Sequence, residues 1–465
     1  MKNYDVVVIG AGPGGYVAAI RASQNGLKTA IIDKQWLGGV CLNVGCIPSK
    51  SLLKNADLAY TLRHRTKEFG ISFDNLELDY GAAVKRSRGV SQRLTRGVGF
   101  LMKKNNIDVF MGKASFKTSK QVVVELEEGG EETLEAENFI IATGAYSFTP
   151  PAWGLDGEKV LSYTEAILQE KLPASAVVIG AGAIGAEFST IWNSYGTEVH
   201  LIEMLPNILP LEDVEVSIEL EKAFKKAGIN VLAGHKVESV EKTENGVKVT
   251  VSNDDNQIVI EAEQALVAIG FRPNTAGLGL EEIGVNLDQK GNIVIDEKMA
   301  TNVPGIYAVG DVTGKLLLAH VASRQGVLCA DSIAGKEIHP INYQMVPSAT
   351  YCHPQVASFG MTEQEAIEAG YKVKVGKFPF RPNGKALGMA EAIGFAKIVT
   401  DAEYGELLGA ALIGPEVSEL LPELTLAQKM ELTAEEISNN IHAHPTLNEA
   451  LMEAAEEIVG ASIHM

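Results

Sequence analysis

Cysteine is scarce in this sequence, with four in 465 residues, which rules out the disulfide framework of a small secreted scaffold. Long apolar runs are missing too. No stretch approaches the ~20 residues that span a bilayer, so no membrane partner is expected. The first apolar run, Val6–Ile9, is too short for a signal sequence and no small-residue cleavage site follows it. That predicts a cytoplasmic chain that starts where its fold starts. Basic charge is in deficit, 40 Lys and Arg against 59 Asp and Glu, for a net charge of −19. With that balance, and no basic patch of length in view, nucleic acid is not expected as a partner. A basic protein partner is compatible with the charge, although acidity most often serves solubility. No Cys/His cluster has zinc spacing and His442/His444 alone is a weak metal signal, so no metal site is predicted.

Glycine, by contrast, is plentiful, and it clusters after apolar strand-like runs. The organising feature is an internal duplication. In the first copy, Tyr4–Ile9 runs into Gly10-Ala11-Gly12-Pro13-Gly14-Gly15, a helical stretch follows, and a second strand closes on Asp33. In the second copy, Ala176–Ile179 runs into Gly180-Ala181-Gly182-Ala183-Ile184-Gly185, again with a helical stretch and a strand that closes on Glu203. Both acids follow the first glycine of their loop by 23 positions. Such glycines permit a tight strand-to-helix turn and let backbone N–H groups approach a pyrophosphate, while the acid accepts hydrogen bonds from a ribose. Two dinucleotides in one chain imply electron transfer between cofactors. Met204-Leu205-Pro206-Asn207 after Glu203 contains no arginine for a 2′-phosphate, which favours NAD over NADP.

The predicted fold class is α/β, with two Rossmann-like dinucleotide-binding domains and a C-terminal α+β domain. Each unit has a later strand ending in a glycine turn, Phe139–Gly144 and Ala265–Gly270, and a third such strand, Gly305–Gly310, ends on Asp311. Hairpins are predicted around Gly129-Gly130 and around a polar turn at Asn253–Asn256. The boundaries follow: a first nucleotide domain at 1–147, a second at 148–271, a central segment at 272–345 that returns to the first, and a C-terminal domain at 346–465 without a phosphate loop.

Gly38-Gly39-Val40-Cys41-Leu42-Asn43-Val44-Gly45-Cys46-Ile47-Pro48-Ser49-Lys50 is the chemical centre. It lies a few residues beyond Asp33 and leads into helix-like sequence, so the cysteines fall near a helix N-terminus, where a thiolate is favoured. A regular helix would separate their Cα atoms by about 7.5 Å of rise. A disulfide tolerates at most about 6.8 Å. Pairing therefore requires a local distortion, for which Gly45 is permissive.

With these residues, the sequence resembles the pyridine nucleotide–disulfide oxidoreductases, and among them most closely the dihydrolipoamide dehydrogenases. The resemblance runs the whole chain. It implies FAD at the first site and NAD at the second, with Cys41 and Cys46 as a redox-active disulfide in which Cys46 faces the flavin and Cys41 exchanges with substrate. It implies FAD contacts from Asp33, where the family more often has Glu, and from Lys50 near the flavin with Glu187 as partner. Gly112, Ala114, Thr143, Gly144, Asp311 and Ala319 are further contacts, and Gly39, Val237 and Gly270 join the glycine loops as cofactor residues. Val40 departs from the usual threonine. The C-terminal domain would dimerise the chain. Partners would be lipoyl domains and the acyltransferase core of a 2-oxoacid dehydrogenase complex, or a glycine cleavage carrier. Glutathione- or mercuric-reductase-like activity and a scaffold flavoprotein are the alternatives. Against them stand the missing 2′-phosphate arginines, the absence of paired cysteines at the C-terminus, and the retention of Cys41, Cys46 and His444.

The remaining motif is His442-Ala443-His444-Pro445-Thr446-Leu447-Asn448-Glu449. Thr446-x-x-Glu449 reads as a capping box, as does Ser162-x-x-Glu165. The histidine adds chemistry, since imidazole accepts a proton near neutral pH and a carboxylate can orient it. The resemblance makes His444 and Glu449 a catalytic dyad reaching the other subunit's site, with His442 the non-catalytic rival. His320, His339 and His353 lack a nearby carboxylate in sequence and read as structural or surface residues.

Overall fold

A computed structural model describes residues 2–254 and 256–465; Asp255, within the turn expected at Asn253–Asn256, lies outside the described residues. The apolar run at the start forms β1 (Lys2–Ile9), followed by α1 (Pro13–Gln24) and β2 (Thr29–Asp33). The cysteine segment forms two helices, α2 (Gly39–Asn43) and α3 (Cys46–His64), and α4 (Tyr80–Lys104) packs over both. Then come β3 (Asp108–Thr118), β4 (Gln121–Leu126) and β5 (Glu131–Ile141).

β1 pairs in parallel with β2 on one side and β5 on the other, β2 pairs with β3, and the strand Ile306–Ala308 adds to β5. The far half of β3 pairs antiparallel with β4, which pairs antiparallel with β5. The second unit repeats the layout. Its parallel sheet has the spatial order 230–232, 198–202, 175–179, 264–267, 160–161. A three-stranded antiparallel sheet (Lys236–Lys242, Val247–Ser252, Gln257–Ala262) takes the place of the β3–β4–β5 excursion. This is the doubly wound order, in which ligands bind beyond the carboxyl ends of the central strands.

The third sheet is antiparallel, ordered 348–350, 355–360, 407–414, 395–401, 373–379. Helices cover it over a buried cluster that includes Phe378, Phe380, Leu412, Leu424 and Leu451. One joint to the second unit is ionic. Lys397, only 2% exposed, places its Nζ 2.9 Å from Asp213, 2.7 Å from Glu215 and 2.8 Å from Glu363. Another joint is apolar. Leu52, Leu53 and Ala56 of α3 share a core with Phe188 and Trp192 of the helix Ala183–Tyr195. That packing fixes α3 between the two nucleotide units.

The expectation of no basic patch fails at α4, which carries seven basic residues and no acidic one. Among the described residues, no helix is long and apolar enough to cross a membrane.

Candidate functional site

Each acid that closes a second strand turns back onto its own glycine loop. Asp33 Oδ2 accepts the Ala11 N–H at 2.6 Å, and Oδ1 accepts those of Gln35 and Trp36 at 2.8 and 2.9 Å. Glu203 does the same, Oε2 accepting from Ala181 at 2.8 Å and Oε1 from Leu205 at 2.9 Å. The helices that follow start at Gly12 and Gly182 with no side-chain cap. Their first-turn N–H groups are therefore left for an anion. Gly15 and Gly185 correct an expectation: they do not line the cleft. A Cβ on either would sit 1.8 or 1.9 Å from the carbonyl oxygen of Gly10 or Gly180, so both glycines serve helix-on-strand packing.

One cleft of about 1840 Å³ joins the two loops. Gly10, Gly12, Gly14, Asp33, Gly39, Gly112, Ala114, Thr143, Gly144 and Ala319 line it around the first loop, and Gly180, Gly182, Glu203, Val237 and Gly270 around the second. Between them stand Cys41, Cys46, Lys50, Glu187 and Asp311.

The distortion needed to bring the cysteines together is a complete break: Cys41 ends up on α2 and Cys46 opens α3. Gly45 permits it, and the structure adds a steric reason to the backbone freedom expected. A Cβ there would lie 3.0 Å from the Val40 carbonyl oxygen and 3.3 Å from the Cys41 Cα. Close approach calls for glycine here. Both cysteines stand as free thiols. A hydrogen bond from the Cys41 thiol holds Cys46 below the ordinary thiol range, with Lys50 assisting, while the same bond and burial push Cys41 up. The N-terminus of a 19-residue helix favours the Cys46 thiolate further.

One helical turn after Cys46, Lys50 Nζ lies 2.9 and 3.0 Å from the two carboxylate oxygens of Glu187. Asp311 faces the cleft with no hydrogen-bond donor among the described residues, and burial alone pushes its carboxyl up to about 6. An orphaned acid beside uncapped helix N-termini and glycine loops open to close backbone approach is a set of residues that fits a dinucleotide bearing hydroxyl donors.

The structure does not bring His444 and Glu449 to the cysteines within one chain. They are absent from the cleft lining, and the His444 side chain is 76% exposed. The pair itself is formed, with His444 Nδ1 2.8 Å from Glu449 Oε1. Glu449 Oε2 accepts the Thr446 N–H at 2.8 Å. Burial would raise the Glu449 carboxyl; Thr446 and His444 outweigh it and hold it below the usual range. The capping box expected here is only half made. The Thr446 hydroxyl donates to the Ala443 carbonyl, and the helix begins at Glu449 itself. The box at Ser162/Glu165 is complete. His442 is sequestered, its nitrogens 2.8 Å from the Asn440 carbonyl and 2.8 Å from Glu423.

Residues 4–326 match the pyridine nucleotide-disulphide oxidoreductase family and residues 346–455 match that family's dimerisation domain. The chain belongs to this family. It is 53% identical over 468 residues to a dihydrolipoyl dehydrogenase of Mycobacterium leprae, covering 100% of both chains. It is 50% identical over 469 residues to one of Corynebacterium glutamicum, covering 100% of this chain and 99% of the other. Among solved structures, LpdA from Mycobacterium tuberculosis superposes with a TM-score of 0.90 at 27% identity, over 98% of this chain and 99% of that one. A Cu(II) complex of the HOCl-induced flavoprotein disulfide reductase RclA from Escherichia coli gives 0.87 at 26%, over 98% and 100%.

Two features of this pyridine nucleotide-disulphide oxidoreductase had no signal in the sequence. Tyr351, some 300 residues from Lys50, places its ring 4.5 Å from the Lys50 ammonium and donates its N–H to Glu187 at 3.1 Å. His235 and Lys236 line the cleft on the Glu203 side, with Lys236 Nζ held 3.1 Å from Glu238. Away from the cleft, ligand atoms of Asp57, His353 and Glu391 lie within 4.8 Å of one another. Lys54, 2.8 Å from Asp57, and Arg65, 3.7 Å from Glu391, already supply the counter-charge there.

Proposed function

We propose that this chain, as a cytoplasmic homodimer, oxidises protein-bound dihydrolipoamide to lipoamide and reduces NAD to NADH, using FAD and the Cys41–Cys46 pair. The observation that carries this reading is the thiol pair at the start of α3, flanked by Lys50–Glu187 and set between two acid-closed glycine loops in one cleft. FAD would lie along the Gly10–Gly14 loop with Asp33, Asp311 and Ala319, and NAD along the Gly180–Gly182 loop with Glu203. FAD, when bound, supplies the means to turn an electron pair from thiols into a hydride for nicotinamide.

The chain's own residues handle sulfur and protons. In the oxidised enzyme a substrate thiolate attacks Cys41 of the disulfide, and the S–S bond breaks with its electron pair going to Cys46. The position of the pair favours that direction, since Cys46 is the first residue of α3 and the helix N-terminus stabilises the departing thiolate. The second substrate sulfur then displaces Cys41 from the mixed disulfide, closing the lipoamide ring and leaving both cysteines reduced. The second copy's His444, oriented by its own Glu449, accepts the proton that the dithiol must lose. Lys50, pinned by Glu187 and Tyr351, presents a fixed positive charge beside the Cys46 thiolate. The partners served would be a lipoyl domain on the acyltransferase core of a 2-oxoacid dehydrogenase complex, or a glycine cleavage carrier.

The direct test is an absorption spectrum and a steady-state assay with NAD and dihydrolipoamide. A colourless protein without turnover would end the proposal. In the same assay NAD should exceed NADP in kcat/KM by about two orders of magnitude, because a 2′-phosphate would face the Glu203 carboxylate and like charges in contact cost several kcal/mol. Lys236, which lines the cleft on that side, is occupied by Glu238. Equal efficiencies would remove the coenzyme assignment.

Asp311 gives a second test. Its folded pKa is raised, so the stability it contributes to the flavin-free protein is complete at acid pH and is lost as pH rises through about 6. Asp311→Asn should therefore melt higher than wild type at pH 7.5 when both lack flavin. The gap, about 3 kcal/mol by linkage, should shrink steadily toward pH 4. Flavin affinity of the variant should fall. A pH-independent difference in melting would mean that Asp311 is solvated.

A further inference from the structure

The basic residues of α4 fall on a single stripe. At about 100° per residue, Lys85, Arg86, Arg93, Arg96, Lys103 and Lys104 project within an arc of about 100°, opposite the buried side formed by Val84, Ser91, Val98 and Met102. All six are exposed. In a chain with 59 acidic residues, none of the six pairs with a carboxylate among the described residues; Arg86 bonds to Ser51 and Asn55, and Arg96 to a carbonyl of its own helix. Phe100, 65% exposed, sits in the middle of the stripe, one or two turns from Arg93, Arg96, Lys103 and Lys104. Arginines around a solvent-facing aromatic side chain make up a composition enriched at protein interfaces.

The stripe lies next to the redox centre. Arg88 donates to the Asn43 carbonyl and Thr95 to the Asn43 side chain, so α4 is bound to α2, the helix that carries Cys41.

We infer that the α4 stripe is the docking surface for an acidic face of the protein that carries the dithiol. The inference rests on the proposed function and adds to it where the carrier is held while its dithiol reaches Cys41. Charge complementarity selects the partner. An unpaired row of cations about 28 Å long on a molecule of net charge −19 offers an acidic protein a local attraction that the rest of the surface would deny it. Acidic partners are steered to the face beside Cys41 and repelled elsewhere.

The test uses the FAD-loaded dimer and two substrates, free dihydrolipoamide and an isolated acidic lipoyl domain in its dihydrolipoyl form. The triple variant Arg93→Glu/Arg96→Glu/Lys103→Glu should lose about 10–100-fold in kcat/KM on the domain at low salt. It should stay within about twofold of wild type on free dihydrolipoamide, because none of the three side chains lines the cleft. About 0.5 M salt should erase most of the difference, since screening is then strong. Phe100→Ser should weaken the domain reaction without that salt dependence. The neutral pair Arg93→Gln/Arg96→Gln, checked by flavin absorbance and melting temperature, gives the same reading should charge reversal disturb folding. Unchanged kinetics on the domain, or equal losses on both substrates, would overturn the inference. A variant that runs as a monomer by light scattering would assign the stripe to contact between copies and overturn it too. So would binding of a 20-base-pair DNA duplex to the stripe with carrier kinetics intact. Wild-type inactivity on free dihydrolipoamide would instead strike the functional reading itself.

Discussion

Replacing His444 by Ala should slow dihydrolipoamide oxidation by about 10²–10⁴-fold, the usual contribution of a positioned acid–base group, while NADH oxidation by artificial one-electron acceptors continues. That second reaction bypasses the disulfide and needs no proton acceptor for a dithiol. Glu449→Gln should cost less, because the ring would keep a hydrogen-bonding neighbour at the 2.8 Å position. His442→Ala should cost least in rate, since both of its nitrogens serve the loop around Glu423. The single chain leaves His444 at the surface and outside the cleft, so the variant also reports on assembly. Cys41→Ser and His444→Ala chains, each nearly inactive, can be dissociated, mixed and reassembled. If the site is shared between copies, half the sites in each hybrid dimer regain both groups and activity returns. Hybrids confirmed by mass that stay inactive would put His444 in the service of its own chain.

The cysteine variants should have effects at least as large, and opposite in kind. Cys41→Ser and Cys46→Ser should each reduce dithiol-to-NAD turnover to background, because neither leaves a disulfide to attack. They should differ once reduced. Serine at 41 still offers a hydroxyl to the Cys46 sulfur, so the thiolate stabilised by that bond, by Lys50 and by the start of α3 survives. The reduced Cys41→Ser holoenzyme should then show a long-wavelength thiolate–flavin absorption band, and its Cys46 should react with iodoacetamide along a pH profile centred below the ordinary thiol range of about 8.5. Cys46→Ser should lack the band, because the sulfur at the start of α3 is gone, and its remaining thiol, which burial still pushes up, should alkylate at higher pH than Cys46 does in Cys41→Ser. The reverse pattern would exchange the two roles.

The parts of the site that were legible in the sequence are those whose chemistry demands fixed local spacing. The glycine loops and their acids at 23 positions are set by one strand–turn–helix–strand unit, and Cys41 and Cys46 are close in sequence as well as in space. Contacts made by the global packing left no local trace. Tyr351 reaches Lys50 only because the third sheet seats against the second unit. Gly45 was noticed for its dihedral freedom; that its missing side chain is also needed against Val40 and Cys41 is visible only with both helices in place. Gly15 and Gly185 carry the motif's spacing but face backward into the strand. The basic stripe was present in the sequence throughout. It comes as two adjacent pairs, Lys85-Arg86 and Lys103-Lys104, and two single arginines with neutral residues between them, and these become one patch only when α4 winds them into register.

The buried ammonium of Lys397 sets the limit for transplanting parts of this chain. Two of its three carboxylate partners, Asp213 and Glu215, lie at the start of the helix Val214–Ala227 in the second nucleotide unit, and the third, Glu363, opens the helix Glu363–Glu368 of its own domain. A graft that moved the C-terminal domain alone onto another flavoprotein would bring along an interior cation stripped of most of its counter-ions, a defect costing about 3–5 kcal/mol when one partner of a buried pair is removed. A recipient would need acids at those two positions before it could accept the domain. The piece that can be exchanged intact is therefore larger than the sheet boundaries suggest, and its edge runs through the helix that follows the NAD loop's acid.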